Sequence, residues 1–191
     1  MALFLSITAL ACGGKEPPPF KAGPAASYPA HQTNAKVTIG LDPITTDEKA
    51  KPAFGKNNPY KHGVLPVLVV IQNDTGKALR TDALKLEYLG PTGGRVAATP
   101  AAEVKYVTGP RRPNVMSGPT GAPKVLKRKN PLDTWEIEGR AWAAKMIPPG
   151  ETASGFFYFE TSFRPGARLY LTGLAEADTG KELFYYEIPL E

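Results

Sequence analysis

The sequence is poor in the residues on which most catalytic and metal sites depend. Its 191 residues include one cysteine and two histidines. A single thiol excludes a disulfide within the chain and any metal site built from several thiolates. The Gly-Lys pairs are never followed by Ser or Thr, so the chain has no phosphate-binding P-loop. No apolar run approaches the roughly 18 residues of a membrane-spanning helix, so the sequence predicts no internal span.

Turn-forming residues, by contrast, are abundant. The chain contains 19 Gly and 20 Pro, a load that disfavours long helices because proline breaks the helical hydrogen-bond ladder. Apolar residues make up 42% and charged residues 21%, which is enough apolar surface for a packed core and excludes wholesale disorder. The composition therefore predicts one mostly β, loop-rich domain.

Short apolar segments bounded by turn residues predict the strands. Residues 64–72 (VLPVLVVIQ) form a continuous run rich in β-branched residues, which is typical of a central strand buried on both faces. Residues 140–147 also suit a helix, and residues 99–103 predict one short helical turn. Seven or eight short strands indicate an antiparallel β-sandwich over residues 36–191. The predicted strands are 36–41, 64–72, 83–89, 134–137, 140–147, 155–160, 168–174 and 182–190.

Alternation along these strands also predicts which large side chains are buried. The predicted core residues are Val69, Ile71, Leu86, Phe157, Phe159, Leu171 and Phe184. The remaining aromatic residues favour core or sheet cover, with a sugar-stacking platform as the alternative. These residues are Tyr60, Tyr106, Trp135, Trp142, Tyr158, Tyr170, Tyr185 and Tyr186.

The first residues carry a targeting signal. Residues 1–11 (MALFLSITALA) are uncharged and almost wholly apolar, and they run into Cys12. A short apolar segment that ends in small residues is the secretory pattern. The Ala-Leu-Ala-Cys ending resembles a bacterial lipoprotein signal, which implies a lipid on the Cys12 thiol. An ordinary signal peptide, or an apolar first strand with a buried cysteine, are the alternatives.

Residues 12–35 are rich in Pro, Gly and Ala, which predicts an extended, flexible tether between the anchor and the folded domain. The residue after Cys12 is glycine and not aspartate. In the lipoprotein family this implies that no inner-membrane retention signal is present. The expected location is therefore the cell envelope, on the periplasmic side of an outer membrane.

The basic residues are concentrated in one segment. Residues 104–132 contain seven basic and no acidic residues, whereas the remainder carries 16 basic and 18 acidic residues. Five prolines and three glycines within 105–131 predict a long loop without regular structure, and such loops tend to be functional or disordered. The loop is either a solvated insertion or a contact with anionic lipid, glycan or an acidic envelope protein. The candidate contact residues are Arg111, Arg112, Lys124, Lys127, Arg128 and Lys129.

Nucleic acid is not predicted as a partner. An exported protein rarely meets it, and no aromatic residue lies within residues 108–132 to stack on bases. No cofactor or metal is predicted either. A zinc site would need His31 and His62 to be joined by carboxylates such as Asp42 or Asp47, and no metal-binding spacing is present.

A family resemblance covers roughly residues 36–191. Its parts are Asn73-Asp74-x-Gly76 after a Val-rich strand, Pro148-Pro149-Gly150-Glu151, Gly155-Phe156-Phe157-x-Phe159 and Gly180-Lys181-Glu182-Leu183. This pattern resembles uncharacterised bacterial envelope lipoproteins with an immunoglobulin-like domain. The resemblance implies an immunoglobulin-like sandwich and no catalytic residues.

Three functions therefore remain open at the level of sequence. The first is a non-catalytic interaction or structural module, held to the envelope by lipid. The second is a periplasmic hydrolase with an active site built from loop carboxylates. Two carboxylates with perturbed pKa values in one cleft would favour the hydrolase, and a closed sandwich without a polar cleft would favour the module. A secreted binder of anionic glycans or lipids is a further alternative.

Overall fold

A computed structural model describes residues 20–107, 114–117, 123–126 and 130–191. Short strands dominate it. In chain order they are β1 (Ala30–Asn34), β2 (Val37–Pro43), β3 (Leu65–Asn73), β4 (Leu79–Arg80), β5 (Lys85–Leu89), β6 (Arg95–Ala97), β7 (Asn114–Ser117), β8 (Pro123–Leu126), β9 (Met146–Ile147), β10 (Thr152–Phe159), β11 (Arg168–Thr172), β12 (Ala175–Glu176) and β13 (Tyr186–Pro189).

Within the described ranges, helical structure is limited to short pieces. The α-helices are α1 (Asp47–Phe54) and α2 (Trp135–Gly139), and single 3₁₀ turns occur at Ala25–Ser27, Pro59–His62 and Val104–Tyr106. Thr46 caps the N-terminus of helix α1, because its hydroxyl accepts a hydrogen bond from the Lys49 amide. Across the described ranges, no helix is long and apolar enough to cross a membrane.

The strands form two main antiparallel sheets. Sheet I has the order β1-β2-β3-β10, and sheet II has the order β13-β11-β5-β6. A small sheet, β12-β4-β9, lies beside them, and β7 pairs with β8. All ladders between these strands are antiparallel. The predicted antiparallel β-sandwich is therefore confirmed.

The main core lies between sheets I and II. Because side chains alternate along a strand, Val69 and Ile71 of β3 face sheet II, where Leu86 and Leu171 complete the same buried cluster. Leu68 and Val70 of β3 face the other way and are equally buried. The prediction of a central strand buried on both faces is thus confirmed.

A third layer covers the outer face of sheet I. Phe54 of α1 and Ile137 of α2 pack there against Phe156 and Tyr158 of β10. The Tyr158 hydroxyl donates a 2.7 Å hydrogen bond to the Ile137 carbonyl, so the buried hydroxyl group has a hydrogen-bond partner. This burial raises the pKa of Tyr158 far above its ordinary value. The layer order is therefore helices and loops, then sheet I, then sheet II.

Two strands predicted around residues 134–147 are wrong in detail. Residues 135–139 are helical, with Ile137 directed inward, instead of a strand over 134–137. Residues 140–147 are mostly irregular, and only Met146–Ile147 form a regular strand. Residues 140–142 hydrogen-bond the edge of β10, from Phe156 N to Arg140 O and from Trp142 N to Phe156 O.

Glycine permits this close approach to β10. A Cβ atom on Gly155 would lie 2.5 Å from the Trp142 Cα, a distance at which one backbone would have to move. A side chain at position 155 would therefore displace the segment that covers the edge. This covering matters because an open sheet edge invites pairing with other chains.

The folded body begins earlier than predicted. Ala25 is fully buried, and β1 pairs with β2 along residues 30–34. Residues 25–34 therefore belong to the domain and not to the predicted tether. The physical reason is that Gly40 has no side chain. A Cβ there would lie 2.2 Å from the Ala25 carbonyl oxygen, so glycine lets the first turn pack on β2.

Most, but not all, of the predicted core residues are buried. Five of them are no more than 3% exposed: Val69, Ile71, Leu86, Phe159 and Leu171. Phe157 is only partly buried, and its ring stacks on that of Trp142. Phe184 is 78% exposed, because the strand predicted over 182–190 begins only at Tyr186.

The basic loop also contains more structure than predicted. Residues 114–117 and 123–126 pair as an antiparallel ladder, with Asn114 opposite Leu126. The prediction of a loop without regular structure is therefore wrong for these eight residues. The helical turn predicted at 99–103 is shifted along the chain, to Val104–Tyr106.

Candidate functional site

Most of the site residues predicted from sequence lie outside the described residues. These are Cys12, Arg111, Arg112, Lys127, Arg128 and Lys129. Lys124 lies on β8. The anchor and the anionic contact accordingly remain predictions, and the structure describes the surfaces from which these segments depart.

The two ends of the basic loop are held together at the third layer. The Asn130 side-chain amide donates a 2.7 Å hydrogen bond to the Lys105 carbonyl. Next to these residues, Val104 and Leu132 are buried against the outer face of sheet I. The loop therefore departs from a fixed base on this side of the molecule.

The described chain begins on the same side. The Phe20 ring lies 5.3 Å from that of Phe156, so the entering chain packs on the third layer. The Arg140 guanidinium lies 5.5 Å from the centre of the Phe20 ring and 5.7 Å from that of Trp135. It also donates a 3.0 Å hydrogen bond to the Pro52 carbonyl of α1. Arg140 thus links the chain entry to both helices.

Helix α2 presents its aromatic side chain to solvent. Ile137 is 1% exposed and points into the third layer, whereas Trp135 is 68% exposed. Two residues along a helix are turned by about 200°, so Trp135 must face away from the core when Ile137 faces inward. An indole that is two-thirds exposed leaves a large apolar surface in water.

A second exposed aromatic residue flanks the same helix. Tyr106 is 68% exposed, and the Lys105 ammonium lies 5.5 Å from its ring centre. The same ammonium lies 3.6 Å from a carboxylate oxygen of Glu138 on α2. We refer to Phe20, Lys105, Tyr106, Trp135 and Arg140 as the α2 face. It joins the chain entry, the base of the basic loop and two solvent-exposed aromatic side chains.

The aromatic residues do not form one sugar-stacking platform. Tyr158 and Tyr186 are buried, and Trp142 stacks on Phe157 with the ring centres 5.9 Å apart. On the outer face of sheet II, the ring centres of Tyr170 and Tyr185 lie 5.3 Å apart. The aromatic residues are therefore divided among the core, the sheet II face and the α2 face.

The described residues carry several carboxyl groups in ion pairs at the surface. Their shifted carboxyl groups all have pKa values lowered from the ordinary range, namely Asp47, Glu48, Asp82, Glu176 and Asp178. Glu176 and Asp178 share one cation, since Lys77 Nζ lies 2.7 Å and 3.2 Å from their oxygens. A general acid at neutral pH would instead need a raised pKa. These pairs are surface ion pairs beside a turn.

The carboxylates considered for zinc are bound to lysines. Asp42 accepts a 2.6 Å hydrogen bond from Lys49, and Asp47 accepts hydrogen bonds from Asn58 and Lys61. The Asn58 and Lys61 hydrogen bonds lower the pKa of Asp47. No cluster of three metal-ligating side chains occurs in the part of the chain that the structure describes.

Among the comparisons with known proteins, only the one with solved structures found similar chains. No protein-family model matches the chain, and no curated protein matches it. A structural-genomics target called SoR45 aligns at 8% identity and TM-score 0.37, covering 83% of this chain and 90% of its own. An uncharacterized β-sandwich protein from Clostridium difficile 630 aligns at 12% identity and TM-score 0.30, covering 82% and 88%.

A functionally unknown protein from Listeria monocytogenes EGD-e aligns at 10% identity and TM-score 0.35, covering 84% of this chain and 81% of its own. Likenesses this distant carry no argument about function. The fold assignment depends on the sheets of the chain itself.

Sequence reasoning missed the α2 face. Its residues come from three separate segments, at 20, 105–106 and 135–140, which the sequence alone does not bring together. One local signal was available. Thr134 precedes Glu136 and Glu138, and a hydroxyl residue followed by acidic residues in the first turn is typical of a helix start.

Proposed function

We propose that this chain is a lipid-anchored protein of the bacterial cell envelope, with a β-sandwich that acts as a non-catalytic interaction or structural module. Cys12 carries the lipid, and the domain lies on the periplasmic side of an outer membrane. The observation that carries the proposal is the apolar segment 1–11, which is followed directly by Cys12 in the sequence Ala-Leu-Ala-Cys. This cysteine is the only one in the chain.

The structure supports a module instead of an enzyme through the chemistry of its described surfaces. Eight of the carboxylates there are paired with lysines or arginines, and the two main sheets enclose an apolar core. The folded body is already present at Phe20, so a short segment separates it from Cys12. A domain joined this closely to a lipid is suited to contacts near a membrane surface.

The test of the anchor is Cys12→Ser in the native host. We expect the wild-type protein to partition into detergent, whereas Cys12→Ser stays soluble or accumulates unprocessed. One lipid chain gives only marginal membrane binding, so two or more chains on Cys12 are expected in the mature protein. Mass spectrometry of the mature N-terminus measures both the cleavage site and the added lipid mass. An unmodified N-terminus upstream of Cys12 would contradict the proposal.

The charge of segment 104–132 favours a second candidate function, binding of an anionic lipid or glycan surface. Seven basic residues without an acidic one occur there, in a chain whose remainder is slightly acidic. Each basic side chain near an anionic membrane contributes about 1 kcal/mol. The attraction is screened over about 8 Å at physiological salt, so the binding should weaken steeply as salt rises.

Charge reversal tests this second candidate. A soluble chain beginning at Phe20 is mixed with anionic vesicles or with purified envelope glycan. We expect Lys127→Glu, Arg128→Glu and Lys129→Glu together to abolish binding without changing the melting temperature. The matched control reverses three exposed lysines elsewhere on the domain, namely Lys56, Lys85 and Lys181. Equal loss in both triple variants, or no salt-dependent binding of the unmodified chain, would reject the loop as the contact.

A further inference from the structure

The α2 face exposes two of the large aromatic side chains that a soluble domain normally covers. Tyr106 and Trp135 are each 68% exposed, and both flank one short helix. Tyrosine and tryptophan have an apolar body with one polar group, and they concentrate where membranes meet water. The face therefore has the side-chain chemistry of a membrane-interface contact.

The charges of this face are balanced. Lys105 lies 3.6 Å from Glu138, and Arg140 lies against the Trp135 ring on the helix that also carries Glu136. On and beside α2, as far as the structure describes this face, two cations thus accompany two carboxylates. A nearly neutral aromatic surface suits a zwitterionic headgroup layer and does not need an anionic lipid.

The chain entry determines which membrane this face can reach. Phe20 packs on Phe156 and beside Arg140, so the chain leaves the domain at the α2 face. Eight residue steps separate Phe20 from Cys12, and a fully extended chain spans at most about 3.6 Å per residue, which is roughly 29 Å in all. A domain of this size is about 40 Å across. Of the two outer faces of the domain, the α2 face is therefore held nearer to an anchor at Cys12.

We propose that the α2 face docks on the headgroup layer of the membrane that holds the anchor, with Trp135 and Tyr106 inserted among the headgroups. This inference rests on the proposed lipid anchor at Cys12. Docking fixes the orientation of the domain, so sheet II points away from the membrane and is left free for a partner. Because the face is nearly neutral, its contact is insensitive to salt, unlike the contact expected of the basic loop.

The single cysteine allows the docking to be tested independently of natural acylation. The mature chain beginning at Cys12 is coupled through its thiol to a maleimide phospholipid in phosphatidylcholine vesicles. Trp142→Phe leaves Trp135 as the only tryptophan. We expect its emission to shift to shorter wavelength on coupling and to be quenched by lipids brominated near the headgroup. Neither effect should change between low and high salt.

The matched control moves the reporter to the opposite side of the sandwich. Tyr185 is 56% exposed and its ring lies 5.3 Å from that of Tyr170 on the outer face of sheet II, so Tyr185→Trp with Trp135→Phe and Trp142→Phe should show no quenching. Equal quenching at both positions would show contact without orientation and overturn the inference. An unquenched Trp135, or a shift that requires added envelope protein, would also overturn it. Failure of the anchor itself is detected separately, by the mass of the native N-terminus.

Discussion

Phe159→Ala should lower the free energy of unfolding by about 3–5 kcal/mol, the usual cost of removing a buried aromatic ring. Phe159 is fully buried between the two main sheets, and its ring centre lies 6.3 Å from that of Tyr88. Truncation leaves a cavity there that the paired strands β3 and β10 cannot easily close. Domains are stable by only about 5–15 kcal/mol, so this single change threatens folding. Urea denaturation followed by tryptophan fluorescence measures the loss.

Two other phenylalanines are matched controls for the position of the ring. Phe184→Ala removes the same atoms at a site that is 78% exposed, and its effect should stay within about 0.5 kcal/mol. Phe157→Ala should have an intermediate effect, because Phe157 is partly buried beside Trp142. Equal stabilities of the Phe159→Ala and Phe184→Ala proteins would mean that the strand assignment at Thr152–Phe159 is wrong.

Alternation made the central strands predictable from sequence. In β2, Val37, Ile39 and Leu41 lie on one side and are buried in the main core, as the sequence pattern requires. The run at 64–72 was informative for a different reason. Its lack of alternation indicated burial on both faces, and the third layer supplies the second cover.

Aromatic runs were less informative, because β-propensity does not tell which rings are covered. The segment Leu183-Phe184-Tyr185-Tyr186 reads as a continuous strand, yet only Tyr186 is fully buried and Phe184 is exposed. The strand predicted at 134–137 rested on only two alternating apolar residues, Trp135 and Ile137, and so short a pattern does not distinguish a strand from a helix. Tertiary packing against Phe156 and Tyr158 decided that this short segment is helical.

The α2 face could not be predicted because it depends on contacts between distant segments. Arg140 gains its neighbours from Phe20 and from Pro52, which are 120 and 88 residues away in the chain. Amino-acid composition does not distinguish an exposed tryptophan from a partly buried one. Only the packing distinguishes Trp135, which is exposed, from Trp142, which stacks on Phe157.

Asn73, the first residue of the turn Asn73-Asp74-Thr75-Gly76, is a hub of hydrogen bonds. Asn73 is fully buried, and its side-chain amide donates to the carbonyls of Lys77 at 2.7 Å and Ile147 at 2.9 Å. Its side-chain oxygen accepts from both the amide and the hydroxyl of Thr75. This one residue therefore joins the end of β3, the following turn and β9. No apolar side chain could satisfy these buried groups.

Asn73→Asp should be strongly destabilising at pH 7 and much less so in acid. A carboxylate at this position cannot donate, and it would place negative charge against the Lys77 and Ile147 carbonyls. Each buried polar group left unpaired costs about 1–3 kcal/mol, and a buried charge costs more, so we expect a loss of about 3 kcal/mol or more. Burial beside these oxygens raises the pKa of the new carboxyl group above the value of about 3.9 in the unfolded chain. The folded state then binds the proton more tightly, and a protonated carboxyl can donate to one carbonyl.

The sign of this pH dependence is what identifies Asn73 as the hub. Because the folded pKa is the higher one, the stability of Asn73→Asp relative to wild type falls as pH rises from about 4 through the folded pKa. Urea denaturation of both proteins at pH 7 and pH 4.5 measures the difference. Asn57→Asp makes the same chemical change at a partly buried site after α1, and its difference from wild type should vary little with pH. If Asn73→Asp and Asn57→Asp lose the same small amount of stability at both pH values, the Asn73 side chain does not hold β3 to β9. The end of β3 would then be joined to the chain after β9 by the backbone hydrogen bonds of Asn73 with Gly150 and Glu151.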